Sequence, residues 1–267
     1  MIKMKKFYLI LIIFFIFSQF LNGNSLNSIL KNKKLVVAVY YKDIFPFFFH
    51  SKNGELTGFD IDIAKDIAKN LGVKLIINRE AKTFDTLTDL VADKKVDLII
   101  SWFSITLKRA EKIRFSKPYL YENMKMIINR IKAARQFGEK IFVNKLNNKS
   151  ITICTVKNSA YVDFLNKFFP KSQKIFLNSW NECYSKIKNG KIIAGLWTET
   201  EISYDIMQYP EDSIKLKQLN MKKTDYIAIG INSEDKMLEQ WINIYLQLKN
   251  YKLTPEQVLK KYKEKSK

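Results

Sequence analysis

Ser104, Thr106 and Arg109 stand two and three residues apart, directly after the apolar run "VDLIIS", within the stretch "VDLIISWFSITLKR". A guanidinium presents a planar fork of donors that matches a carboxylate with two parallel hydrogen bonds. Two hydroxyls beside it, with nearby backbone amides, can occupy the lone pairs the fork leaves over. The chemistry this set implies is capture of a small carboxylate. The bland alternative is a surface ion pair between Arg109 and Glu111. The place of the segment in the fold decides between them.

Other chemistry has little support. The chain shows no G-x-S-x-G elbow, no H-E-x-x-H pair and no Gly-rich phosphate loop. His50 is the lone histidine, expected on a surface or loop, and two cysteines cannot make a zinc site with it. No cofactor or metal is expected. Cys154 and Cys183 allow one intramolecular pairing; a disulfide and two buried free thiols both stay open.

The elements that must position Arg109 recur in two sets. "LVVAVY" (35–40), "VKLIIN" (73–78) and "VDLIIS" (96–101) read as buried strands, separated by helices over "GFDIDIAKDIAKNLG" and "FDTLTDLVADKK". In the first helix, Phe59, Ile63, Ile67 and Leu71 recur at four-residue spacing, with Asp60 expected as its cap and Gly72 as its end. The order then repeats. "SITICTV" (150–156), "KIFL" (174–177) and "KIIAGLW" (191–197) are strands; "SAYVDFLNKFF" and "SWNECYSKIKN" are helices. "DYIAIGI" (225–231) reads as a returning strand, and two last helices close the chain. Continuous apolar strands alternating with helices argue for mostly parallel sheets, hence an α/β fold of two similar lobes joined by a two-strand hinge. Lobe one is assigned to residues 26–125 and 227–267, lobe two to 126–226.

Ligands of such sheets lie beyond the carboxyl ends of the strands. Those ends are Tyr40, Asn78 and Ser101 in one lobe, and Val156, Leu177 and Trp197 in the other. Facing edges make a cleft that a hinge can close, and "SWFSITLKR" hangs from one of them. That placement favours Arg109 as a ligand residue.

With those residues in place, "KLVVAVYYKDIFPFFF", "GELTGFDIDIAKDIAKNLGV" and "VDLIISWFSITLKRAEKIRFSKPY" resemble the periplasmic amino-acid-binding proteins of ABC importers, the extracellular solute-binding proteins of family 3. The resemblance covers essentially the whole chain after the N-terminal segment. It implies the periplasmic binding protein type II fold and closure on a small solute. It also implies that Arg109 holds the ligand carboxylate, Ser104 assists, and Phe84 packs on the ligand, with Asn158 and Ser159 approaching from lobe two. Thr106, Tyr40, Trp102, Trp197 and Thr198 complete the expected site. An ABC permease in the inner membrane is the implied partner, and a monomer the expected state.

The sequence departs from the family where an ammonium group is usually met. Thr198 stands where an acid often ends the last lobe-two strand, with Glu199 and Glu201 just beyond. Tyr40 stands where another acid often follows the first strand, with Asp43 three residues on. Trp102 replaces a small residue. Either Glu199 or Asp43 supplies the charge from a shifted position, or the ligand has no α-amine. Tyr40, Trp102 and Trp197 would line an aromatic cleft able to stack on a planar or cationic group. A dehydratase of the cyclohexadienyl type on the same scaffold, using a cleft carboxylate as base, is the enzymatic alternative. A sensor or interaction protein with a rebuilt cleft is the third. With the sequence ending at Lys267, no appended lytic domain is expected.

The N-terminus reads as a cleaved signal peptide over residues 1–25: basic "MIKMKK", apolar "FYLILIIFFIF", then "SQFLNGNS". The apolar run falls short of the roughly 20 residues of a spanning helix. No cysteine follows it for lipid anchoring, so a free periplasm is expected. The formal charge of +20 is spread over many lysines without a dense block interleaved with aromatics, so no nucleic acid is expected as partner.

Overall fold

The apolar runs read as buried strands form two separate five-stranded sheets. The structure, a computed structural model, describes residues 25–138, 140–251 and 253–263. The expected signal peptide therefore lies, but for Ser25, outside the described residues. In chain order the strands are β1 (Lys34–Ala38), β2 (Phe49–His50), β3 (Leu56–Thr57), β4 (Lys74–Asn78), β5 (Leu98–Ile99) and β6 (Ile113–Phe115). Then follow β7 (Leu120–Asn129), β8 (Thr152–Val156), β9 (Gln173–Leu177), β10 (Ala194–Thr198), β11 (Leu216–Ile227) and β12 (Gly230–Asn232).

The first sheet has the order β4-β1-β5-β12-β6, the second β11-β7-β10-β8-β9. In each sheet three strands run parallel, as the apolar runs require, and antiparallel strands finish one side. Helices cover them: Phe59–Leu71 and Phe84–Ala92 on the first, Ala160–Phe168 and Trp180–Lys188 on the second. The fold is α/β, with mixed sheets in two lobes.

Strands β7 and β11 lie side by side with Leu120 opposite Ile227, Tyr121 opposite Tyr226 and Glu122 opposite Asp225. Both belong to the second sheet, and their ends lead into the first lobe. The run "DYIAIGI", read as one strand, is thus two. Asp225 to Ile227 finish β11, and after a buried crossing at Ala228 and Ile229 the chain enters β12 of the other sheet. The sequence hides this break because the crossing is as apolar as the strands beside it. Gly230 makes the entry possible: a Cβ there would stand 2.8 Å from Ile99 Cδ1.

Two local expectations resolve differently. Gly72 ends the first long helix in a left-handed turn, as a C-terminal glycine should. Asp60, however, does not cap that helix; Gly58 holds the cap position, where a Cβ would meet the Phe47 carbonyl oxygen at 2.3 Å. Asp60 turns inward instead, fully buried. The backbone amide of Trp102 and the hydroxyl of Tyr119 (2.9 Å) donate to its carboxylate.

Cys154 and Cys183 form a disulfide, with Cα atoms 5.9 Å apart, tying β8 to the helix Trp180–Lys188. Gly195 on β10 leaves space for it: a Cβ there would lie 3.1 and 3.3 Å from the two sulfurs and 2.7 Å from Ile187 Cδ1.

Candidate functional site

Strand ends and helix starts of the two lobes meet at a small cavity. Its walls include Phe84, Trp102, Ser104 and Arg109 from lobe one. Ser159, Ala160, Tyr161, Trp197 and Thr198 face them from lobe two, with Asp225 from the hinge.

Arg109 is placed by its own short helix. Thr106 caps Leu107–Ala110 by accepting the Arg109 amide at 3.2 Å, which turns the arginine side chain back beneath the strand end. Its Nη1 donates to the Ser104 carbonyl at 2.8 Å, and the guanidinium lies 4.0 Å from the centre of the Phe103 ring. The residue is only 5% exposed, so the surface pair with Glu111 is not how it is used. Burial brings its pKa down to about 10, against the pull of Asp85, Asp225 and Asp163, so the cation persists at neutral pH. A buried, positioned guanidinium at a cavity wall is suited to a carboxylate.

Ser104 does not aim its hydroxyl at the arginine. It donates to Asp225 Oδ2 at 2.8 Å. Thr106 and Asn158 lie at an adjoining depression that shares Arg109 and Ser159 with the cavity and is also bounded by Lys108, Lys157 and Asp163. Ser159 donates its hydroxyl to the Val156 carbonyl at 2.7 Å, leaving its backbone at the start of Ala160–Phe168. Tyr40 stands behind Phe84 rather than on the cavity, stacked on it at 4.8 Å. Burial, then Tyr41, pushes its hydroxyl up to about 12.

The aromatic wall is a connected set. Trp102 stacks on Phe47 at 4.7 Å and meets the edge of Trp197 at 6.1 Å across the lobes. Trp197 in turn packs against Tyr161 and Trp180. Trp102 and Asn158 both hold left-handed backbones, φ 45° and 56°. Non-glycine residues adopt these at a cost and concentrate at functional sites. For Trp102 the Asp60 carboxylate that accepts its amide explains how the turn is held.

The acids expected to replace the family's ammonium ligand lie elsewhere. Asp43 pairs with Arg79 at 2.9 Å and with His50 at 3.0 Å on the outer surface. Burial alone would raise Asp43, but the His50 amide and ring and Arg79 outweigh it and hold it low. Glu199 pairs with Lys125 at 2.9 Å and accepts from Asn123, away from the cavity wall. Thr198 caps the helix Glu199–Gln208 by accepting the Glu201 amide. Glu201 is half-buried and accepts from the Trp197 indole, and desolvation lifts its pKa to about 8.

Sequence reasoning missed Asp225 and Tyr161. Asp225 opens an apolar run, where a charged first residue is ordinary, and Tyr161 sits in an amphipathic helix where an aromatic is ordinarily core. Neither has a local signal; only the pairing of β11 with β7 brings Asp225 inward. Among the described residues no cluster of His, Cys, Asp and Glu could hold a metal ion.

The fold agrees with what comparison finds. The family model for bacterial extracellular solute-binding proteins, family 3, matches residues 35–262, and the chain belongs to that family. ABC transporter arginine-binding protein 1 of Escherichia coli K12 is 24% identical over 204 residues, 74% of this chain and 78% of that protein. The histidine-binding periplasmic protein of the same organism is 26% identical over 226 residues, 80% of this chain and 82% of its own length. Among solved structures, an ancestral amino acid-binding protein described as a precursor of cyclohexadienyl dehydratase superposes with a TM-score of 0.72. It is 24% identical, and the match covers 92% of this chain and 100% of that one.

Proposed function

We propose that the protein is an exported, monomeric carrier that closes its two lobes on an amino acid and delivers it to the permease of an ABC importer. Arg109, buried at the cavity wall with its guanidinium fixed by Ser104 and Phe103, is the observation that carries this reading. Phe84, Trp102 and Trp197 pack on the ligand, and the start of the helix Ala160–Phe168 approaches its carboxylate from lobe two. The periplasm is the compartment such a role requires, and a disulfide suits it.

The test is a thermal-shift screen of protein refolded once to strip bound ligand, against the common amino acids, small dicarboxylates and polyamines. Ligand at 100 times its dissociation constant stabilises by about 2.7 kcal/mol, a shift of several degrees for a chain of this size. A shift with one amino-acid group supports the carrier. Silence across amino acids, together with turnover of a cyclic hydroxy acid, would replace it with the dehydratase reading.

A further inference from the structure

The hinge presents to the cleft a buried carboxylate oxygen that makes no formed hydrogen bond among the described residues. Asp225, on β11, is 1% exposed and lines the cavity. Its Oδ2 accepts from Ser104, but its Oδ1 has no hydrogen-bond partner. The Tyr161 hydroxyl faces the carboxylate and is equally buried; it and the Tyr226 amide lie close enough to pull the Asp225 pKa down against burial, yet neither meets hydrogen-bond geometry at Oδ1. Buried polar atoms are rarely left so, and one at a cavity wall is accounted for by what enters the cavity.

The charges around it point the same way. Directly opposite Asp225 on the paired hinge strand stands Glu122, also fully buried. Like charges opposed across a ladder destabilise it unless something compensates. The Trp102 indole (3.3 Å) and the Thr200 amide (3.4 Å) and hydroxyl donate to Glu122, none of them a cation. Arg109 is a positive group that acts on Asp225. Asp225 is therefore the buried acid that leans on Arg109, and that arginine is the group a ligand carboxylate would occupy.

We propose that Asp225, on the hinge strand rather than at the family's usual lobe-two position, receives the ligand's ammonium group through Oδ1, with Glu122 behind it. This rests on the amino-acid reading above. Arg109 and Asp225 then form adjacent receptors for the two ends of a zwitterion, with Tyr161 available to donate to the same carboxylate. Because the receptor sits on β11, holding the ammonium also fixes the strand pair about which the lobes close.

The experiment compares the amino acid that most stabilises the wild type with its des-amino analogue, by calorimetry, on wild type and Asp225→Asn. The wild type is expected to prefer the amino form by roughly 30-fold or more. Asp225→Asn is expected to bind both forms within about threefold of each other while holding the analogue as well as the wild type does. Asp225→Glu keeps the buried charge if the amide variant does not fold; it should weaken the amino form about tenfold and spare the analogue. A variant that retains the full wild-type preference overturns the proposal and leaves amino-acid binding standing, as does equal weakening of both ligands. A wild type that binds no amino acid overturns both.

Discussion

The two polar walls of the cleft are built from different materials. The proposed carboxylate wall is local: Ser104 and Arg109 lie five residues apart on the cavity wall, and Thr106 behind them caps the helix that aims Arg109. The acid beside it is assembled from distant sequence: Asp225 lines the cavity and Glu122 backs it only because β7 and β11 pair. A local wall tolerates changes around it, since its geometry comes from a single loop. A wall assembled from the hinge is tied to how the lobes sit, so ligand charge and closure are linked there.

Breaking the local wall should have the largest effect. Arg109→Ala is expected to weaken amino and des-amino ligands together, by about 2–5 kcal/mol, with the circular dichroism spectrum kept. An unchanged affinity in calorimetry would show that Arg109 is structural and that the comparison fails on that side.

The disulfide supports the lobe-two face of the cleft. Replacing Cys154 and Cys183 with serine should lower stability by about 2–4 kcal/mol in urea unfolding, with ligand preference unaltered. A change of preference without loss of stability would mean that the disulfide shapes the site rather than the lobe.

The hinge wall should reveal itself in pH dependence. Burial raises Glu122 and Glu201 from 4.5 to about 8 and Asp60 from 3.8 to about 7. The folded protein therefore binds more protons than the unfolded chain across that window. The stability these groups support is complete below about pH 4 and is lost as pH rises through 8. Thermal midpoints should fall between pH 6 and 8.5. Glu122→Gln, which keeps the Oε1 acceptor for the Trp102 indole and the Thr200 hydroxyl but removes the titration, should flatten that fall. An identical slope in the variant would place the raised acid elsewhere.

Smaller effects sharpen the contrast. Thr198→Ala removes a helix cap and should cost about 1 kcal/mol of stability, leaving the choice between amino and des-amino ligands unmoved. Asp43→Asn breaks an outer-surface pair with Arg79 and His50 and should leave affinity within about twofold. A larger loss in calorimetry for either would return the ammonium site to the positions where the family usually keeps it.

The same contrast explains what the sequence discloses. Local chemistry reads directly: the Gly72 helix end, the run of buried strands and the Arg109 motif are visible as short patterns, whereas Phe84 and Ser159 on the cavity wall followed only from the family resemblance. Tyr40 and Thr106 were expected on the wall from the same reasoning but serve one layer back, Tyr40 as a stacking partner and Thr106 as a cap. Asp225 was invisible because its meaning depends on a partner strand about a hundred residues away. Asp60 misled for a related reason: an acid at a helix start usually caps, and only the tertiary fold turns this one onto Trp102. The Cys154–Cys183 pairing likewise required the helix and strand to be brought together.

The most direct test is a crystal structure with the amino acid that most stabilises the protein. The ligand carboxylate should lie within hydrogen-bonding distance of the Arg109 guanidinium, and the ammonium group on Asp225 Oδ1, between Trp102 and Trp197. A ligand bound with its ammonium away from the hinge, or outside the cleft, would contradict the account.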